Sequence, residues 1–137
     1  MHYKNAVTPT KEQLAGFAED PHSRAISMLN LLKFKDKATY PADHELHDKG
    51  MSGAEAYALY ADAASHIVAG LGGEMVFSGQ VERLMLGEVE DLWDMVALVT
   101  YPSRAAMFEM IVSDAYRAIE VHRNAGLAGQ LNIECTT

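Results

Sequence analysis

Two segments of this chain limit what it can fold into. Ile26–Phe34 (ISMLNLLKF) and Trp93–Tyr101 (WDMVALVTY) are apolar at both odd and even positions. Successive side chains of a strand point to opposite faces, so strands of this composition need cover on both sides. The chain has 137 residues, which suits one domain around one core. Whatever covers the second face therefore has to come from few spare residues or from another chain.

The remaining elements follow from capping and periodicity. TPTKEQLAGFAEDP predicts a short amphipathic helix, part of a helical extension over residues 1–22. Thr10 and Gln13 form its capping box, Leu14 and Phe17 its apolar stripe, and Pro21 its stop. Arg24–Lys35 reads as a buried strand interrupted by Asn30. Residues 36–51 form a polar loop holding DHELHD, long enough to suggest a lid or a mobile linker. Ser52 and Glu55 box the start of an amphipathic helix that stops at GLGG. Glu74–Leu86 alternates and predicts a strand. GEVED then turns the chain into a second strand, Leu92–Tyr101, making a hairpin. Ser103 and Ser113 cap two successive helices, and Gly126 is expected as the left-handed residue that ends the second. LAGQLNIECTT closes as a strand, with Leu131 and Ile133 on one face and Gln130, Asn132 and Glu134 on the other.

The core order, strand, helix, strand, strand, helix, strand, is the ferredoxin-like βαββαβ pattern of an α+β protein. Two main helices cover only one face of its four-stranded antiparallel sheet. The first and third strands need cover on the other face, and the N-terminal helix is too small to supply it. A second copy packed sheet to sheet would do so. The expectation is a single domain over residues 1–137 that forms a homodimer with a joint α+β barrel.

Charge and cysteine content exclude several classes. The net charge is −8 and no basic run is present, which argues against nucleic acid and anionic membranes as partners. Cys135 is the only cysteine, so no internal disulfide forms. With no apolar leader at the N-terminus and no stretch long enough to span a bilayer, a cytoplasmic location is expected.

The segments MLNLLKFK, GAEAYALY, WDMVALVTYPSRAAMFEM and AYRAIEVHRNAGL resemble, in that order, a family known as domain of unknown function 1330. The resemblance runs from about Gln13 to the last strand, and YPSR and HRNAGL are its most specific parts. It implies the dimeric α+β barrel superfamily. That superfamily holds cofactor-independent monooxygenases, muconolactone isomerases, polyketide cyclases and haem enzymes. The family itself has no established reaction, so the resemblance speaks for fold and not for chemistry.

Candidate site residues are therefore weighed one by one. Arg104 follows the Ser103 cap, where the helix dipole disfavours a cation. It either binds a carboxylate with the free N–H groups of that turn or pairs with a nearby acidic residue. Asn30 either orients a ligand carbonyl or bonds its own neighbours, since a buried amide must be satisfied. Phe34, Trp93, Met95 and Tyr101 line an apolar pocket or are plain core. Asp94 is a base or an ion-pair partner. His122 is a general base, or with Arg123 simply complements the helix C-terminus. Tyr57, Tyr60 and Tyr116 are core residues whose hydroxyls can reach a carbonyl or enolate oxygen.

The two histidines of DHELHD are three apart in a loop, unlike the helical zinc signature. No metal is expected there, although Tyr40 and His44 can reach inward if the loop is a lid. No phosphate loop, dinucleotide fingerprint or Ser-His-Asp order is evident, and no cofactor is expected. The leading expectation is a small cofactor-independent enzyme. Its substrate would be an apolar or aromatic metabolite bearing a carbonyl or carboxylate. The alternatives are a non-catalytic binding module and a structural homodimer.

Overall fold

The computed structural model describes residues 3–19 and 24–137. In chain order the elements are α1 (Lys11–Glu19), β1 (Ile26–Phe34), α2 (Gly53–Gly70), β2 (Glu74–Gln80), β3 (Met95–Tyr101), α3 (Arg104–Ile111), α4 (Asp114–Gly126) and β4 (Leu127–Cys135). The strands form an antiparallel sheet in the order β2-β3-β1-β4. This is the expected α+β, ferredoxin-like arrangement, with α1 added. Three caps are as read from sequence. Ser52 accepts from Glu55 N in a complete capping box, Ser103 from Ala106 N and Ser113 from Tyr116 N. The expected stop at Pro21 lies outside the described residues.

The helices pack on one face of the sheet. Ile26 and Met28 of β1 and Val99 and Tyr101 of β3 meet Val68, Met110 and Tyr116 there. Phe17 of α1 joins the same cluster, so α1 sits on the helix side and leaves the second face of the sheet uncovered.

That second face is apolar. The register aligns Phe77, Leu98, Leu29 and Ile133 across the four strands, and Val96, Leu31 and Leu131 in the next row. The alternation of β4 is inverted relative to a wet-faced sheet. Glu134 and Gln130 bond to residues of α3 and α4, so the polar face of β4 looks toward the helices. Leu131 and Ile133 look away from them, and Ile133 is 42% exposed.

Three boundaries differ from the sequence reading. β2 ends at Gln80 rather than Leu86, and β3 begins at Met95. Alternation at 81–86 was a strand pattern without a strand partner. Only the bond from Val81 N to Asp94 O extends the ladder, and Met85 and Leu86 are almost fully exposed. The hairpin is present, but its connector runs over residues 81–94. Gly126 is the last residue of α4 and leads straight into β4 without a left-handed turn. Its lack of a side chain serves packing instead. A Cβ there would stand 2.4 Å from the carbonyl oxygen of Gly53, where α2 and α4 cross.

Candidate functional site

Between the helices and the sheet lies a cavity of about 610 Å³, within the range of small-molecule sites. Its apolar walls include Met28, Val68, Val99, Met107 and Met110, and Lys4, residues 6–9 and α1 border it. The polar face of β4 makes its floor. The side chain of Asn30, 8% exposed, is the hub of that floor. Its Oδ1 accepts from Gln130 Nε2 at 2.7 Å and Asn132 Nδ2 at 2.6 Å. Its Nδ2 donates to the carbonyls of Met28 at 3.1 Å and Ala97 at 3.3 Å. Arg123 continues the chain, donating to Gln130 Oε1 at 2.5 Å and to the carbonyl of Val7 at 2.6 Å. Of the two readings of Asn30, the bonded one holds. All its hydrogen-bonding capacity goes to protein, and this network ties β1, β4, α4 and the N-terminal segment together.

Arg104 also lines the cavity. Its Nε and Nη2 grip Glu134 at 2.6 and 2.5 Å, a bidentate pair that offsets the dipole penalty of its first-turn position. The guanidinium lies 5.5 Å from the ring centre of Phe17, a cation–π distance.

The third group is a set of tyrosines. Tyr57, Tyr60, Tyr101 and Tyr116 all line the cavity. The hydroxyls of Tyr60 and Tyr116 are 3.2 Å apart. Tyr57 and Tyr101 are only 8% and 6% exposed. Burial pushes the Tyr57 phenol up to about 12, with Arg123 opposing and Tyr116 assisting. Burial also raises Tyr60 and Tyr101, each further by neighbouring phenols. All three stay protonated and able to donate at neutral pH. Glu120 borders the same cavity.

Other sequence candidates lie elsewhere. Phe34 packs against Tyr57 with tilted rings 5.3 Å apart and, with Asp94 and Met95, borders a second hollow of about 460 Å³. Met95 also reaches the main cavity. Asp94 accepts the backbone N–H of Phe34 at 2.8 Å and pairs with Lys33 at 3.5 Å. Trp93 packs against Tyr3 at 5.5 Å. Neither Asp94 nor Trp93 borders the main cavity.

His122 is not in the cavity either. Its Nδ1 lies 2.7 Å from the Tyr40 hydroxyl, and Tyr40 stacks on His44 at 4.7 Å. No residue of the loop 36–51 lines the main cavity. The loop's Tyr40, Leu46 and Met51 pack with Ala56 of α2 and Ala125 and Val121 of α4. Both DHELHD histidines are engaged within the loop. His44 Nδ1 accepts from Leu46 N, and His47 Nδ1 lies 3.0 Å from the Tyr40 carbonyl. Among the described residues no cluster of three or more His, Cys, Asp or Glu side chains is placed to hold a metal ion.

This histidine cluster predicts a pH effect. Burial, then the charge of His44, lowers the His122 pKa below its ordinary value, with Glu45 opposing. A depressed folded value means the unfolded chain binds the proton more readily. The stabilisation is present above the unfolded value of about 6.5 and is lost as pH falls through the folded one. Melting temperature should therefore drop between about pH 7 and 5, and drop less in His122→Gln. Equal pH profiles for the two proteins would exclude His122 as the cause.

The floor of the cavity has a sequence signal. Gln130, Asn132 and Glu134 share one parity of β4. Their register with Asn30 shows that the parity faces the helices. No periodicity in β4 alone decides which of its faces turns inward.

Comparison with known proteins bears on the fold. The model of the family described as Domain of unknown function (DUF1330) matches residues 48–133, so β1 precedes the matched range. No curated protein matches. A protein of unknown function from Rhodopseudomonas palustris is 34% identical over 98% of both chains, with a TM-score of 0.85. A methylated form of that protein gives 34% identity over 97% of this chain and 95% of its own, with a TM-score of 0.86. A dimeric ferredoxin-like protein of unknown function from Jannaschia sp. CCS1 is 10% identical over 82% of this chain and 99% of its own, at a TM-score of 0.52. That last likeness concerns the fold alone.

Proposed function

The chain belongs to the DUF1330 family, and from its geometry we propose a homodimer in which each protomer binds an apolar small molecule between its sheet and its helices. The inverted β4 carries this reading. It turns the side chains of Gln130 and Glu134 toward the helices and those of Leu131 and Ile133 to the opposite face of the sheet. An apolar strand face is a liability against water, so the outer face suits a second copy. The inner face is paired to Asn30, Arg104 and Arg123 and forms a fixed floor under a cavity of small-molecule size. Four strands about 4.8 Å apart and up to nine residues long give a face of roughly 20 by 30 Å. That approaches the ~800 Å² per partner of a standard interface, before the exposed Leu84–Leu86 tip is added. The cytoplasmic setting belongs to the same reading, supported by the lone Cys135.

Catalysis is the second reading, favoured by Glu120. This carboxylate borders the cavity together with the protonated phenols, an acid–base pairing suited to proton transfer at a carbonyl compound. His122 lies outside that pairing.

The test is native mass spectrometry of freshly purified protein, followed by titration with naphthalene-sized probes. A particle of twice 15.0 kDa that takes up one probe per protomer is expected. A monomer, or a dimer that binds no probe of this size, would remove the dimer half or the cleft half of the reading. Incorporation of deuterium next to the carbonyl of a ketone probe incubated with the protein in heavy water, read by mass, separates catalysis from binding.

A further inference from the structure

The cleft's polar groups do not offer equal opportunities to a ligand. The guanidinium of Arg104 is gripped by both oxygens of Glu134. That of Arg123 donates to Gln130, to the Val7 carbonyl and to Asn124 Oδ1 at 3.3 Å. Asn30 is saturated, and Tyr60 and Tyr116 bond each other. The carboxylates of Glu120 and Glu134 border the same space.

Two donors stand apart. Among the described residues, neither the Tyr57 nor the Tyr101 hydroxyl has a hydrogen-bond partner, and both residues are more than nine-tenths buried against the cavity. A buried hydroxyl without a partner is costly, and native proteins retain few such groups without a reason. Both residues line the same cavity, and Tyr57 is among the groups that raise the Tyr101 phenol.

We infer that Tyr57 and Tyr101 receive the carbonyl oxygen of an uncharged, largely apolar ketone or quinone-like ligand, and that the cleft selects such a molecule over a carboxylate. This rests on the reading of the cleft as a small-molecule site. A carbonyl oxygen has two lone pairs and takes two O–H donors without bringing a charge into an apolar space. A carboxylate would have to be stripped of water, would meet Glu120 and Glu134, and would find both guanidinium groups engaged. The hydrocarbon frame would lie against Met28, Val99 and Met110.

Three probes of one shape test this by calorimetry: 2-acetylnaphthalene, 2-naphthoate and 2-ethylnaphthalene. The ketone should bind at least about tenfold more tightly than the other two, the yield of a well-made buried hydrogen bond. Tyr57→Phe and Tyr101→Phe should each cut ketone affinity about tenfold and leave ethylnaphthalene affinity unchanged. Neither variant should melt below the parent, since each loses a hydroxyl that bonds nothing in the protein. A lower melting temperature would mean the hydroxyl has a structural role and would overturn the assignment. Tightest binding of the naphthoate would overturn the ligand class while leaving the cleft site standing. Binding of no probe would remove both.

Discussion

Leu98→Glu should yield a folded monomer of 15.0 kDa where the parent, as the proposed dimer, is expected at twice that mass. Leu98 sits on an inner strand of the sheet, on the face away from the helices, between Phe77 of β2 and Leu29 of β1. In a single chain the new carboxylate reaches water from that face, so the fold survives. In a two-fold dimer both glutamates are stripped of water at once, with no cation on the rows around them. An unpaired buried charge costs several kcal/mol. Two of them weaken association by at least about a thousandfold. Sedimentation or native mass spectrometry reads the result, and unchanged circular dichroism shows that the fold is kept. A Leu98→Glu protein that remains dimeric would place the interface elsewhere.

Gly53→Ala should be among the most damaging single-methyl changes in the chain. Gly53 opens α2 directly behind the Ser52 cap. Its N–H donates to the Lys35 carbonyl at 3.1 Å, while Lys35 N donates to the Gly126 carbonyl at 2.9 Å. A Cβ at residue 53 would lie 2.1 Å from the Lys35 oxygen and 2.7 Å from both the Lys35 nitrogen and the Gly126 oxygen. These are backbone atoms, locked by the hydrogen bonds just named, so no side chain can swing aside. The end of β1, the start of α2 and the end of α4 would have to separate. A loss of about 4 kcal/mol or failure to fold is expected, at the upper end for point changes. Gly70→Ala is the control. It sits in the last turn of the same helix with nothing within 4 Å of the added carbon. It should be neutral or stabilising by up to about 1 kcal/mol. Chemical denaturation of the two variants checks the pair, and a Gly53→Ala protein within about 1 kcal/mol of the parent would mean that this junction yields.

The arrangement of strands was legible because burial leaves a mark on composition. Leu29, Leu31, Val96 and Leu98 occupy positions that a wet sheet face would give to polar residues. Ser52, Ser103 and Ser113 mark helix starts through bonds that span three residues, so they too are local. What escaped was set by partners distant in sequence. The alternation of VERLML fits a strand, but a strand needs a neighbour, and β3 no longer runs alongside there. His122 shares a helix with Arg123, yet one faces Tyr40 and the other Gln130. Adjacent helical positions are about 100° apart, so they need not serve one site. Tyr101 reads from sequence as pocket or core and Tyr57 as core with a hydroxyl that can reach a carbonyl, and only the cavity beside them separates a packed phenol from one available to a ligand.

β1 has an inner position in the sheet, with Met28 and Asn30 on one side and Leu29 and Leu31 on the other. The sheet is a single layer, so the floor of the cleft and the proposed dimer face are two surfaces of the same backbone. Anything that flattens or twists this layer to suit one surface alters the other. A ligand that reshapes this layer on binding would link occupancy of the cleft to self-association, and such a linkage is reciprocal. A ligand that tightens the dimer must bind more tightly to the dimer, by the same factor. Its apparent affinity would then rise with protein concentration, and in the assembled particle one filled protomer could reset the affinity of the other across two facing sheets.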